Sequence, residues 1–382
     1  MLDFFANLAS TDGFIIGILL PFLFVLTIVI FFHELGHYLV GRWCGIGAKV
    51  FSVGFGPELV GFTDRRGTRW RLSAVPLGGY VKFVGDMNAA SAGATEEDDL
   101  TEEERRQAFH TKSVWRRAAT VFAGPAANFI LAVVIFAFVL ALFGRTVADP
   151  VVAELRDGGA AQEAGLEVGD LFVSLDGRPV SSFSDVQRYV APRAGQPIDM
   201  VVERDGAEIA LTITPERLEI EDRFGNQIEQ GIIGVVNNPE LGRYRVETYG
   251  PVEAVGLGFQ ETWYVIARTG GYLAGVVTGR ENADQIGGPI RVAQVSGQVA
   301  TLGFVALLNL TAILSVSIGL LNLLPVPILD GGHLLFYAYE AVRGRPLSET
   351  AQEYGYRIGF ALVLGLMVFA TWNDITILFG SG

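Results

Sequence analysis

His33, Glu34 and His37 stand in the order His-Glu-Leu-Gly-His. On an α-helix, residues four apart lie one turn apart on the same face, so His33 and His37 can offer two imidazoles to one zinc ion. Glu34 lies beside them, where a carboxylate can take a proton from water, and the chemistry this pattern suggests is hydrolysis. The setting is unusual for such chemistry. Gly13–Phe32 carries no charged side chain and is long enough to cross the hydrocarbon core of a bilayer, where ionisable groups are costly and usually functional. Ordinary polar residues at a helix end are the bland reading of the same pentapeptide. Polar residues at a lipid boundary, however, are usually snorkelling Lys or Arg. Arg42 fills that role, and anchoring does not explain the His-Glu-His set.

A catalytic zinc takes three protein ligands and keeps a fourth position open. The chain has only four histidines and one cysteine, Cys44, which excludes an intrachain disulfide and a cysteine-rich metal site. His110 follows an acidic stretch and is a poor candidate. The search for a third ligand leads to Asn322-Leu-Leu-Pro-Val-Pro-Ile-Leu-Asp-Gly-Gly-His333. Pro325 and Pro327 must break a helix, and broken backbone at membrane depth occurs where it is buried in protein or lines a watery cavity. Asp330 at this break can be the carboxylate ligand. His333 competes on chemistry alone, and an N-cap at the interface is the structural use of Asp330.

The elements that must position these groups are spans. Gly13–Val40 reads as a retained helix, since no basic flank or small-residue cleavage site marks it as a signal peptide. Ala118–Phe143 follows Arg116 and Arg117. Ala293–Leu329 is longer than one crossing needs, so its first part is expected to be a loop or an interfacial approach. Ile358–Phe379 is weaker, with Asp374 near its end and Trp372 suited to an interface. Lys and Arg cluster in the first loop (Arg42, Lys49, Lys112, Arg116, Arg117) and the third (Arg343, Arg345, Arg357). By the positive-inside rule both loops are cytoplasmic, and the 144–292 segment lies outside. The motif is then near the cytoplasmic face.

Between the spans, Gly45–Phe83 alternates apolar and polar residues around Asp64-Arg65-Arg66-Gly67 and predicts a β-hairpin; a basic loop lying on anionic lipid is the alternative. A helical substrate must be unwound before hydrolysis, and an exposed strand edge can hold the unwound segment through main-chain hydrogen bonds. Ala89–Arg106, with its runs of Glu and Asp, reads as a solvated loop with a short helix at its end. Val151–Pro215 reads as a small α+β domain: a strand at Leu171–Leu175, a helix at Ser184–Val190, and a hairpin of Ile198–Arg204 with Glu208–Ile213. Its order resembles a bacterial PDZ domain, a fold that captures peptides or their terminal carboxylates by strand addition; a spacer with a filled groove is the alternative. Gly250–Gly279 is apolar and glycine-punctuated, as in an amphipathic helix at the outer membrane surface.

Half the 382 residues are hydrophobic, as expected of a membrane protein with soluble parts. A net charge of −13 argues against nucleic acid as a partner, because no basic surface remains to neutralise phosphates. The fold class expected is therefore a polytopic α-helical membrane protein of about four transmembrane helices, with a cytoplasmic-side β-hairpin region and an inserted α+β PDZ domain. Its parts are 1–44, the first span with the motif; 45–85, a membrane-associated hairpin region; 86–117, the acidic cytoplasmic loop; and 118–144, the second span. A PDZ domain follows at 145–217, then a periplasmic linker with an amphipathic helical segment at 218–292. The third membrane region occupies 293–340, and a cytoplasmic loop with the fourth span occupies 341–382.

Three motifs in this order, His33–His37, Gly124-Pro125-Ala126-Ala127-Asn128 and Asn322–His333, resemble the site-2 protease family, nearest the bacterial regulators of the sigma-E pathway. The resemblance covers nearly the whole chain. It implies that His33, His37 and Asp330 bind Zn2+, that Glu34 activates water, and that Asn322 and Asn128 position the substrate. It also implies that the 45–83 hairpin is the family's membrane-associated β-loop and that His333 is supportive. One departure is that enterobacterial members carry two tandem PDZ domains and only one is recognisable here. The function implied is an intramembrane zinc endopeptidase of the bacterial inner membrane. Its expected substrates are single-span proteins already shortened outside, such as anti-sigma factors, and signal-peptide remnants. The rivals are a non-catalytic PDZ scaffold with a structural metal site and, more remotely, a transporter, since broken helices also line transport sites.

Overall fold

The computed structural model describes residues 15–85, 101–221, 227–236, 244–281, 283 and 287–380. Most of the acidic run of the first loop lies outside these residues. Among the described residues four helices are long and apolar enough to cross a membrane: Ile16–Trp43, Val114–Phe143, Phe304–Asn322 and Glu349–Thr376. The chain divides into two compact units, one formed by Met1–Val139 with Pro251–Gly382 and the other by Leu140–Gly250.

In the first unit a π-helical turn, Ile15–Leu19, leads into α1, Leu20–Trp43. Pro21 is tolerated in the first turn, where its missing N–H is needed by no intrahelical bond. Two long strands follow, β1 (Ala48–Thr63) and β2 (Arg69–Phe83). They fold on themselves: Val50–Val53 pair on one side with Arg69–Leu72 and on the other with Gly79–Lys82, while Val60–Thr63 pair with the far side of Arg69–Leu72. Two strands thus supply four rows, and one outer row is Gly79–Phe83. Phe51, Val53, Val81 and Phe83 pack with Tyr38 of α1. Asp64 in the turn accepts from Tyr38 Oη (3.1 Å) and Trp70 Nε1 (3.0 Å), which ties the sheet to the motif helix. The far end of the sheet is different: Phe55, Leu59, Val60, Phe62, Leu72 and Val75 are exposed, an apolar edge suited to lipid.

Helix α2 (Glu102–Gln107) opens on a capping box from Thr101. Lys49 lies 3.0 Å from Glu104, and this pairing together with the cap holds the carboxyl down to about 2. Helix α3, Val114–Phe143, begins four residues before the sequence suggests and contains Pro125.

The second unit has its own core of Val152, Ala161, Phe172, Leu175, Val186, Ile198, Met200, Val202 and Ile213. Its elements are β3 (Arg145–Ala148), β4 (Glu154–Leu155), α4 (Ala160–Glu163), β5 (Leu171–Leu175), β6 (Arg178–Pro179), α5 (Phe183–Val190), β7 (Ile198–Arg204), β8 (Ala207–Ile213), β9 (Glu216–Glu221), β10 (Gln227–Ile232), β11 (Val235–Val236) and β12 (Tyr244–Glu247). A four-stranded sheet runs β6-β5-β7-β8, while β9 pairs with β10, β4 with β11 and β3 with β12. Residues 218–250, read from the sequence as linker, therefore supply strands to this unit. Their alternation is short and interrupted, which is why periodicity alone passes over them. Arg204 grips the buried Asp170 with two bonds of 2.7 Å.

The chain returns to the first unit with α6, Pro251–Val277, then α7 (Pro289–Thr301), α8 (Phe304–Asn322), α9 (Asp330–Arg343) and α10 (Glu349–Gly380). The long third apolar stretch, Ala293–Leu329, is thus two helices and a turn, and its first part belongs to the helix α7 and is not a loop. Asp374 in α10 explains its place in an apolar span. It accepts from the backbone N–H groups of Gly288 (2.9 Å) and Arg291 (3.0 Å) and caps α7, whose own N-cap residue is a glycine.

Candidate metal centre

Helix α1 presents His33 and His37 one turn apart, and the break between α8 and α9 brings Asp330 to them. His33 Nε2 and His37 Nε2 are 3.2 Å apart. Asp330 Oδ2 lies 3.3 Å from His33 Nε2, and Asp330 Oδ1 lies 3.5 Å from His37 Nε2. Ligand atoms at zinc distance around a tetrahedral ion stand roughly 3.3–3.4 Å from one another, so the three separations match that requirement. Among the described residues this is the one group of three or more His, Cys, Asp or Glu with metal-ligating spacing.

Hydrogen bonding shows what these atoms want. His37 Nδ1 donates to the Thr120 carbonyl at 2.9 Å, so its proton is on Nδ1 and Nε2 turns a lone pair inward. That lone pair faces a second imidazole nitrogen and a carboxylate whose buried Oδ2 has no hydrogen-bond donor. Two imidazole nitrogens and a carboxylate converging in this way fit a cation, and zinc suits two imidazoles and a carboxylate.

Packing makes the convergence tight. A methyl at Gly36 would run into the Ala123 carbonyl and lie 2.7 Å from Ala127 Cβ, and one at Gly124 would strike His37 Nε2. The absence of side chains at these two positions lets α1 and α3 touch at the motif. At the third segment, a methyl at Gly331 or Gly332 would strike the carbonyls of Leu323 or Val326. The proline-broken turn therefore folds back on the first turn of α9 and delivers Asp330.

Glu34 is 9% exposed. Its carboxylate faces the Val81 backbone N–H, and a methyl at Gly79 would lie 3.0 Å from Glu34 Cγ. The general-base candidate thus lies against the outer row of the sheet. His333 is turned elsewhere, with its ring 5.6 Å from that of Tyr356 and 6.5 Å from that of Phe336. Asn322 is half-buried at the last position of α8. Asn128 is fully buried, and its amide Nδ2 is 3.2 Å from His33 Nδ1. His110 belongs to no ligand group among the described residues.

Two contacts escape sequence reasoning. The Thr120 carbonyl is backbone and leaves no trace in residue type. Arg117, read as a membrane-flanking charge, also binds Glu340 of α9 at 2.6 Å and lies over the Tyr337 ring, linking the helix that starts at Asp330 to α3.

Comparison with known proteins agrees with this geometry. The model of Peptidase family M50 matches residues 21–366. A relative from Agrobacterium fabrum named "Putative zinc metalloprotease" is 57% identical over 98% of this chain and 100% of its own length. One from Mesorhizobium japonicum with the same description is 56% identical over 94% of this chain and 99% of its own. Metalloprotease MmpA of Caulobacter vibrioides is 42% identical over 95% and 96%. A family match spanning all three motifs, with relatives matched end to end, places the chain in Peptidase family M50, the site-2 proteases, as a multi-pass membrane zinc metalloprotease.

Proposed function

We propose that this protein cleaves peptide bonds within the membrane segments of single-span proteins, with His33, His37 and Asp330 holding the zinc and Glu34 as general base. The observation that carries the reading is the set of three ligand-atom separations, 3.2, 3.3 and 3.5 Å, beside a buried carboxylate at the end of an apolar helix. Zinc bound there supplies Lewis-acid polarisation of water and of the scissile carbonyl. Glu34 takes the proton of the attacking water and passes it to the departing amine nitrogen. Thr120 keeps the His37 proton on Nδ1 and so keeps Nε2 available as a ligand.

The substrate enters as a strand. Among the described residues the Gly79–Phe83 row pairs on one side only. Because Val84 N–H binds Gly47, alternation turns the main-chain groups of Gly79 and Val81 to the free side. A substrate segment unwound along that row lies beside Glu34, held through its backbone and not its side chains. Asn322, at the mouth of the broken segment, is a second point of substrate contact. The basic first and third loops set the site near the cytoplasmic face of a bacterial inner membrane. The Leu140–Gly250 unit then acts outside as a PDZ-type module that binds a shortened substrate's new C-terminus or excludes an intact outer domain. Anti-sigma factors and signal-peptide remnants are substrates of this chemistry, in regulated intramembrane proteolysis.

The test is cleavage of a model single-span protein by the full chain in proteoliposomes, with zinc measured on the same samples. Wild type should carry one zinc and cut inside the span. Glu34→Gln should keep zinc and lose activity by roughly 10²–10⁴-fold, and Asp330→Asn should lose zinc. Turnover by Glu34→Gln at the wild-type rate removes Glu34 as the base. Zinc retained by Asp330→Asn without any cleavage favours the scaffold reading.

A further inference from the structure

Asn128 sits at the crossing of three helices. Its side chain is 0% exposed, its backbone carbonyl accepts the Ser315 hydroxyl of α8 at 2.9 Å, and a methyl at Gly319 would lie 3.2 Å from its Cβ. A residue enclosed in this way is poorly placed to hold a substrate. Among the described residues its amide has one near polar neighbour, His33 Nδ1, at 3.2 Å from Nδ2, and its Oδ1 is buried with no partner.

The chemistry of the metal site decides what this amide does. When His33 Nε2 is a zinc ligand, the imidazole carries its remaining proton on Nδ1, and that N–H needs an acceptor. An amide NH2 cannot accept. The two ends of an asparagine amide have nearly the same shape, and half a turn of the amide puts Oδ1 where Nδ2 stands. The same rotation gives the orphan Oδ1 a donor and gives the His33 N–H its acceptor. His37 already has the equivalent arrangement, with the Thr120 carbonyl at 2.9 Å as acceptor.

We propose that Asn128 is a positioning residue of the zinc site: through Oδ1 it accepts the Nδ1 proton of His33, and so fixes the ring and tautomer that present Nε2 to the metal. Asn128 and Thr120, both on α3, then serve the two histidines of α1 in the same way. This rests on His33 being a zinc ligand, and the experiment separates the two failures.

The full chain in detergent is stripped of metal and titrated with zinc against a chromogenic chelator, then with cobalt(II) for its visible spectrum. Two variants are compared with wild type. Asn128→Leu keeps the bulk and removes the acceptor, and should weaken zinc binding by roughly 10–100-fold, with a changed cobalt spectrum. Asn128→Asp keeps the shape and the acceptor, and should hold zinc within about threefold of wild type or more tightly, as carboxylate–histidine–zinc pairs do. At saturating zinc, KM for a single-span substrate should be the same in wild type and Asn128→Asp. Zinc affinity unchanged in Asn128→Leu, or lost equally in both variants, overturns the proposal, as does a raised KM with zinc binding intact. Should the leucine disturb helix packing, the isosteric aspartate decides alone, and its failure to fold counts against an acceptor role. A wild type that binds no zinc overturns the ligand assignment itself.

Discussion

Replacing Gly124 by alanine tests whether helix packing, and not the metal, shapes the site. The added methyl would strike His37 Nε2 and lie 2.9 Å from His33 Cε1. Carbon atoms in good contact stand about 3.5–4.0 Å apart, so the His33 ring must give by roughly 0.6–1 Å and the His37 ring by more, whereas a metal site tolerates about 0.2 Å in its ligand distances. The backbone cannot yield instead, because Gly36 on α1 already lies against Ala123 and Ala127 of α3. The rings must turn, and His37 then loses its 2.9 Å bond to Thr120. The overpacking should cost about 1–3 kcal/mol of stability. Zinc affinity should fall by at least roughly 10-fold and turnover by about 10²-fold. The assay is thermal unfolding of the full chain with and without zinc. A ligand at a thousand times its Kd stabilises by about 4 kcal/mol, and Gly124→Ala should lose most of that gain. Gly365→Ala in α10, where nothing lies within 4 Å of an added Cβ, is the control and should be neutral or stabilising by about 0.5–1 kcal/mol. A Gly124→Ala protein that gains as much from zinc as wild type does would refute the reasoning.

Three further outcomes follow from contacts away from the metal. Asp374→Ala removes the cap of α7 and should cost about 0.5–2 kcal/mol, read as faster amide exchange at residues 288–291 with the rest of α10 unchanged. Arg117→Ala and Glu340→Ala should each destabilise by about 1–3 kcal/mol. A double-mutant cycle should show coupling above roughly 0.5 kcal/mol, since the 2.6 Å pair is only 14% and 18% exposed. In the second unit, Arg204 holds the Asp170 carboxyl below its ordinary range. The folded pKa is depressed, so this stability is present above the unfolded carboxylate value near 4 and is lost as pH falls through the folded value. Asp170→Asn should therefore weaken the unit at neutral pH by about 2 kcal/mol and flatten its acid-unfolding limb, measured by amide exchange in β5 and β7.

The site was legible where residue type and spacing carry the chemistry. Two histidines one turn apart need only helical periodicity to be placed on one face. The shortage of other histidines narrowed the third ligand to Asp330 or His333, and there sequence logic stopped. Which of the two reaches the zinc position depends on how residues 323–329 fold back, a matter of backbone carbonyls over Gly331 and Gly332 that no side-chain pattern reports. Asp374 looked like a flaw in a weak span because its partners are main-chain N–H groups some eighty residues away in sequence. The strands of 218–250 escaped for a related reason: each is short, and each is stabilised by a distant partner strand more than by its own alternation.

The same non-local contacts explain how so costly a donor set can be held ready at the end of an apolar helix. Two imidazole lone pairs and a carboxylate repel one another in a low-dielectric site, and nothing in α1 alone would keep them 3.2–3.5 Å apart. Three separate restraints do so. Thr120 fixes the His37 ring, Gly36 and Gly124 bring α1 onto α3, and the proline-broken turn with the Arg117–Glu340 pair sets α9 against both. The base is restrained from a fourth direction, by the Val81 N–H of the outer strand row. That row is also where an unwound substrate would pair. On the proposed reading, a carbonyl of the incoming strand that took the Val81 N–H would displace Glu34 from it, so docking of the substrate and release of the base would be one event at a single amide.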